Sequence, residues 1–103
     1  MWYYLYNHIE KGHIMEKYQI KGDLVSRQIA GEHLLIPTGA TALQLTGIIN
    51  LSESAMLLYN LLQTERTEDE LVSALLDEYD TDRETAQADL SAFLGQLREL
   101  GLV

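Results

Sequence analysis

Three histidines, His8, His13 and His33, are the first side chains to test for catalysis or metal binding. None has a partner at ligand spacing, such as i, i+4 on a helix, so a structural or surface role is the better reading. Asp77, Glu78, Asp80 and Asp82 form a short acidic cluster. A calcium loop needs spaced oxygen ligands, a glycine at its bend and a closing glutamate. That pattern is absent, and the cluster reads as a solvated turn between helices. The chain has no cysteine, which excludes disulfides, iron–sulfur clusters, zinc–thiolate sites and thiol nucleophiles. No glycine-rich phosphate loop follows a strand, and no Ser/His/Asp set is suggested. A domain of 103 residues also has little room for a deep pocket. The residues point to binding without catalysis, with no cofactor and no metal expected.

Charge narrows the partner. The net charge is −9, from 16 acidic and 7 basic residues. Residues 1–51 balance four acids with four bases, so the whole surplus lies in residues 52–103, where twelve acids face Arg66, Arg83 and Arg98. Nucleic-acid binding depends on lysine and arginine neutralising phosphates, and anionic membranes attract the same residues. The C-terminal half would repel both, and its acids also favour solubility. At 47% hydrophobic residues the chain can build a core, so it is not disordered. No apolar run approaches the roughly 18 residues of a membrane span. Nothing resembles a secretion signal, and the expected compartment is the cytoplasm.

The elements that must position any site change character near residue 51. Leu24–Ile29 alternates weakly, Ala30-Gly31-Glu32 supplies a turn, and His33-Leu34-Leu35-Ile36 is a short apolar run ended by Pro37. This predicts a hairpin. Residues 40–46 fit a loop, a helical turn or an irregular strand equally. Gly47 breaks the run, and Ile48-Ile49-Asn50-Leu51 reads as a third strand. Ser52 is then an N-cap for a helix over 53–64. Thr67-Glu68-Asp69-Glu70 is a capping box that opens a helix over 68–79. Thr81-Asp82-Arg83-Glu84 reads as another, opening a helix over 82–100 that carries Ala86, Leu90, Phe93, Leu97 and Leu100 at steps of three and four. Gly101 suits the C′ position, with Leu102 folding back on the last turn. The fold class is therefore α+β, a small three-stranded antiparallel sheet and three helices in a winged-helix-like outline.

Residues 1–14 stand apart. Met1-Trp2-Tyr3-Tyr4-Leu5-Tyr6 is aromatic-rich without a period, and a second methionine follows at Met15. Codons for Glu10-Lys11-Gly12 can place a ribosome-binding-site-like hexamer before Met15. The expectation is an N-terminal extension over 1–14, with Met15 as a candidate start, and one domain over 15–103. The rival is a true element whose aromatics cover an apolar surface.

Winged helices often bind DNA through a recognition helix, but 82–100 carries no basic stripe to follow a groove. A peptide is the better partner, because a free sheet edge accepts an extended chain as an added strand. Free edges also permit homodimers. Arg83, Gln87, Leu94 and Arg98 share one stripe of the last helix and could wall a groove for a peptide with apolar and acidic residues. The same spacing fits a core Leu94 with the arginines paired to Glu84 and Glu99.

The ordered set of motifs resembles the PqqD-like family, named for the D protein of pyrroloquinoline quinone biosynthesis. The matching stretches are Gly31-Glu32-His33-Leu34-Leu35-Ile36-Pro37, Gly47-Ile48-Ile49-Asn50-Leu51-Ser52-Glu53-Ser54-Ala55, Leu58 through Leu62, Thr67-Glu68-Asp69-Glu70-Leu71, Glu78-Tyr79-Asp80 and Asp89-Leu90 through Leu97, closing on Leu100-Gly101-Leu102-Val103. Two positions depart from the pattern: Ser52 stands where the family usually has asparagine, and Tyr59 where it often has tryptophan. The resemblance implies a peptide-recognition element. The leader of a ribosomally made precursor would add as a strand beside the third strand and pack on the third helix. The precursor is then presented to a modifying enzyme, often a radical S-adenosylmethionine maturase. Carried over by pattern position, the contacts implied are Ile48, Ile49, Asn50 and Leu51 on the strand and Arg83, Gln87, Leu90 and Leu94 on the helix. Two other readings stay open: a structural subunit of a larger enzyme, and a winged-helix DNA-binding regulator.

Overall fold

The computed structural model describes residues 16–103, so the extension expected over residues 1–14 lies outside the described residues. Strand β1 (Lys17–Tyr18) is followed by a hairpin of β2 (Leu24–Ile29) and β3 (Glu32–Pro37). Helix α1 (Gly39–Gln44) leads to β4 (Ile49–Leu51) and α2 (Glu53–Leu61). Strand β5 (Arg66–Thr67) opens directly into α3 (Glu68–Glu78), and α4 (Arg83–Glu99) closes the chain. The protein is α+β, with a three-stranded antiparallel sheet in the order β2-β3-β4 and a two-residue ribbon of β1 with β5.

The hairpin forms because its two-residue loop has the right hand. Ala30 and Gly31 both adopt positive φ, 53° and 82°, and Ile29 pairs with Glu32 across the turn. That backbone suits the twist of the flanking strands. β4 then pairs with β3 in the register Leu35 opposite Ile49, Leu34 opposite Asn50 and His33 opposite Leu51. Strand β4 covers three of the four residues expected; Ile48 lies just before it and is exposed.

The helix starts follow their caps. Ser52 Oγ accepts the Ala55 N–H, and the Thr67–Glu70 capping box is complete in both directions. For α4 the N-cap is Asp82, one residue later than the box read from Thr81: its carboxylate accepts the Thr85 N–H at 2.7 Å. Aspartate wins because it is the stronger acceptor for an orphan N–H at the positive end of a helix. Helix α2 ends at Leu61, short of Thr64, because the chain must turn back into β5. There Arg66 Nε donates to the Leu61 carbonyl. At the end of α4, Gly101 takes φ 76° and the Leu102 N–H donates to the Leu97 carbonyl, which seats Leu102 in the core.

That core is mostly helical. Leu58 and Leu62 come from α2 and its cap, Leu71, Val72 and Leu75 from α3, and Ala86, Leu90, Phe93, Leu94 and Leu97 from α4. Among the described residues, the sheet contributes Leu35 as its only fully buried member, with Leu24, Ile49 and Leu51 packed at the edge. Among the described residues no helix is long and apolar enough to cross a membrane.

Candidate functional site

β4 is an edge strand. It pairs with β3 on one side, and no strand of the described residues takes its other side. Ile49 and Leu51 turn toward the core while Asn50 is exposed, as alternation in a half-buried strand requires. Beside β4 runs the C-terminal half of α4. Between them lies a cleft of about 210 Å³, lined by Ile49, Asn50 and Leu51 on the strand side and by Phe93, Gln96, Leu97, Glu99 and Leu100 on the helix side. The other edge, β2, is different in kind: Ser26 through Ile29 are all exposed, and Arg27 projects a charge that discourages pairing.

Of the residues read from the sequence, Ile49, Asn50 and Leu51 line this cleft, and Ile48 stands at its entrance end of the strand. The four helix residues do not line it. Leu90 and Leu94 are core residues that reach no wall of the cleft. Arg83 lies at the start of α4 and pairs with Asp69 of α3 at 3.8 Å, rather than with Glu84. Gln87 shares that flank. Arg98 also lies on the far side, close enough to Tyr18 of β1 to favour its ionised form. Tyr18 is nonetheless held above its ordinary pKa of 10.0, first by its 2.7 Å hydrogen bond to the Glu16 carboxylate and then by burial.

Helical geometry explains the difference. Gln96 and Arg98 are two residues apart and so about 160° apart around the axis. Each flanks the core line through Leu90, on opposite sides. The topology, and not the spacing, decides which flank meets β4. Phe93 and Leu100, which spacing alone assigned to the core, stand at its cleft-side margin. Leu100 is 39% exposed. The missed signal is the width of the apolar arc: the core covers it as far as Leu94 on one side, but leaves Leu100 exposed at the other.

The arrangement suits recognition of an extended chain. The cleft has an apolar floor, main-chain groups along one wall that no strand of the described residues pairs with, and Gln96 and Glu99 as polar side chains. Among the described residues no group of three or more His, Cys, Asp or Glu could hold a metal.

The family model for coenzyme PQQ synthesis protein D (PqqD) matches residues 32–103. The chain belongs to the PqqD family. A search of curated protein sequences finds no match. Among solved structures, the TbiB1 protein in complex with the TbiA(beta) leader peptide is 30% identical, with a TM-score of 0.65 over 82% of this chain and 92% of that one. A lasso peptide synthetase B1 complexed with the leader peptide shares the fold, at a TM-score of 0.64 and 20% identity, over 82% of this chain and 93% of that one. The PqqD-family match begins at the start of β3 and so takes in β4, α4 and the cleft between them.

Proposed function

We propose that this PqqD-family protein binds the leader segment of a ribosomally synthesised precursor peptide. The leader adds as a strand along the open edge of β4 and packs against α4. The observation that carries the reading is the juxtaposition of that edge with an apolar helix flank across one cleft. It is supported by the likeness to a protein solved with a leader peptide in place. The bound precursor is presented to a modifying enzyme, such as a radical S-adenosylmethionine maturase, which does the chemistry. The recognition domain contributes local concentration and orientation.

The contacts proposed on the strand are Ile49, Asn50 and Leu51, with Ile48 at the margin. On the helix they are Phe93, Gln96 and Leu100. A three-residue edge offers two or three main-chain hydrogen bonds to an added strand, each worth about 0.5–1.5 kcal/mol net. Micromolar binding needs about 8 kcal/mol. Apolar burial in the cleft must supply the rest and also offset the roughly 4–15 kcal/mol of freedom lost on association, so more than one large side chain, each burying roughly 150–250 Å² at ~25 cal/mol/Å², must be seated. Main-chain pairing therefore sets register, and the cleft sets affinity.

The test is fluorescence polarisation of a labelled leader peptide from the precursor gene nearest this one, with single N-methyl groups walked along the peptide. Methylating the peptide spares the β3–β4 ladder of the protein. Expected is saturable micromolar binding that N-methylation abolishes at every second residue of one short stretch. Binding indifferent to N-methylation overturns strand addition. No binding at ~100 µM, about −5.5 kcal/mol, overturns leader recognition by the isolated domain and favours a structural subunit of a larger enzyme.

A further inference from the structure

The cleft beside β4 is one end of a longer trough. Phe93 and Gln96 also line a second hollow of about 280 Å³, together with Ser52, Ser54, Asp89 and Ala92. Ser52, Ser54, Leu75 and Asp89 in turn line a third of about 350 Å³, closed by Tyr79, Thr81 and Ala86. Leu100, Gln96, Phe93 and Asp89 follow steps of four, three and four, so they form one straight flank of α4. β4 leads into the same trough, because Ser52 directly follows its last residue, Leu51. From Leu100 to Ala86 the helix rises about 21 Å. An extended peptide at ~3.3 Å per residue covers that length in six or seven residues. Three of them match β4, and three or four lie beyond it.

The lining beyond β4 has a definite chemistry. Leu75, Tyr79 and Ala86 give the far end an apolar wall. Asp89 stands midway, exposed and shared by both outer hollows, and among the described residues no lysine or arginine lines either of them. Asp89 has no ion pair or side-chain hydrogen bond among the described residues. It also has no capping duty, since it lies in the interior of α4, where aspartate is a poor helix former. Glu53, at the other side of the trough, is explained by the first turn of α2. The arginines that could have attracted an acidic peptide lie on the opposite flank, Arg83 engaged with Asp69.

We propose that the trough beyond β4 is a second subsite, which seats an apolar leader side chain against Leu75, Tyr79 and Ala86 and pairs a nearby lysine or arginine of the leader with Asp89. This rests on the strand-addition reading above and fixes the sign of the leader it selects, which is basic and apolar, not acidic.

The probe is a positional-scanning library of N-acetylated heptapeptides, read by fluorescence polarisation against the full chain. Expected is a preference of about tenfold for lysine or arginine over glutamate at one position, with leucine, phenylalanine or tyrosine favoured within four residues of it. Asp89→Lys inverts the charge preference, and Asp89→Asn flattens it. Asp89 is exposed, so neither variant opens the core, and circular dichroism checks that. Ala92→Trp, on an exposed helix position lining the trough, blocks the subsite while leaving sensitivity to N-methylation of the strand segment. A charge preference unchanged in Asp89→Lys, with N-methyl sensitivity intact, overturns the subsite and leaves strand addition standing. Absence of binding by any library member overturns both.

Discussion

Leu35 of β3 lies directly opposite Ile49 of β4, and this pair ties the sheet to the helical core. Leu35 is 0% exposed, while Ile49 forms one wall of the cleft. The contact that anchors the sheet therefore also sets the height of the edge that a peptide would meet. Leu35→Ala leaves a cavity at that junction and is expected to cost about 2–5 kcal/mol, read as a lower urea midpoint. The conservative Leu35→Met, which nearly preserves volume, is expected to cost less than about 1.5 kcal/mol. Equal losses for the two would show that Leu35 does not anchor the sheet.

The hairpin carries a local strain that can be relieved. Ala30 sits at φ 53°, a left-handed conformation that costs an alanine roughly 1–2 kcal/mol. Asparagine tolerates it far better and is favoured at the first position of such a loop. Ala30→Asn is expected to raise stability by about 0.5–1 kcal/mol, which lifts the melting temperature by several degrees in a domain of this size. A fall in melting temperature would mean that the turn is not of this type in solution.

Asp82 tests the start of α4. Its carboxyl is held below the usual value of 3.8, first by the Thr85 backbone N–H and then by the Thr85 hydroxyl. A depressed folded-state pKa gives stability that is present above the unfolded value and lost as pH falls through the folded one. Asp82→Ala is therefore expected to be less stable than the parent at pH 7, with the gap closing in strong acid. Thr81→Ala, one residue earlier, is expected to change nothing. The reverse ranking of the two variants would move the cap back to Thr81.

Those residues also show what the sequence could and could not convey. Caps are local chemistry, so Ser52 and the Thr67–Glu70 box placed the starts of α2 and α3 from spacing alone. The free edge was legible too, because Gly47 and the run to Leu51 isolate a short strand before a helix. Helix α1 was not, since it buries no residue and has no side-chain cap, which leaves no apolar stripe or capping signal. The β1–β5 ribbon joins residues some fifty positions apart over two residues each, below any local signal. The helix side of the cleft was lost for a different reason. Arg98 and Gln96 flank the same core line, and a one-dimensional pattern has no left or right. Only the placement of β4 against one flank breaks that symmetry.

The last turn separates binding from folding within two residues. Leu100 is the C-cap of α4, partly exposed, and it lines the cleft beside β4. Leu102 is 2% exposed and is drawn into the core by the hydrogen bond from its N–H to the Leu97 carbonyl, 2.8 Å long. Replacing a partly exposed leucine by serine removes apolar surface from the cleft without opening a cavity. Leu100→Ser is therefore expected to weaken leader binding about tenfold while shifting stability by less than about 0.5 kcal/mol. Leu102→Ala is expected to do the opposite, costing about 2–5 kcal/mol of stability through the cavity it leaves. At temperatures where it remains folded it binds the leader as the parent does. Fluorescence polarisation and urea denaturation on the two variants read both quantities. If Leu100→Ser binds the leader unchanged, the peptide does not pass along the C-terminal end of α4, and the cleft between β4 and that helix is not where it docks.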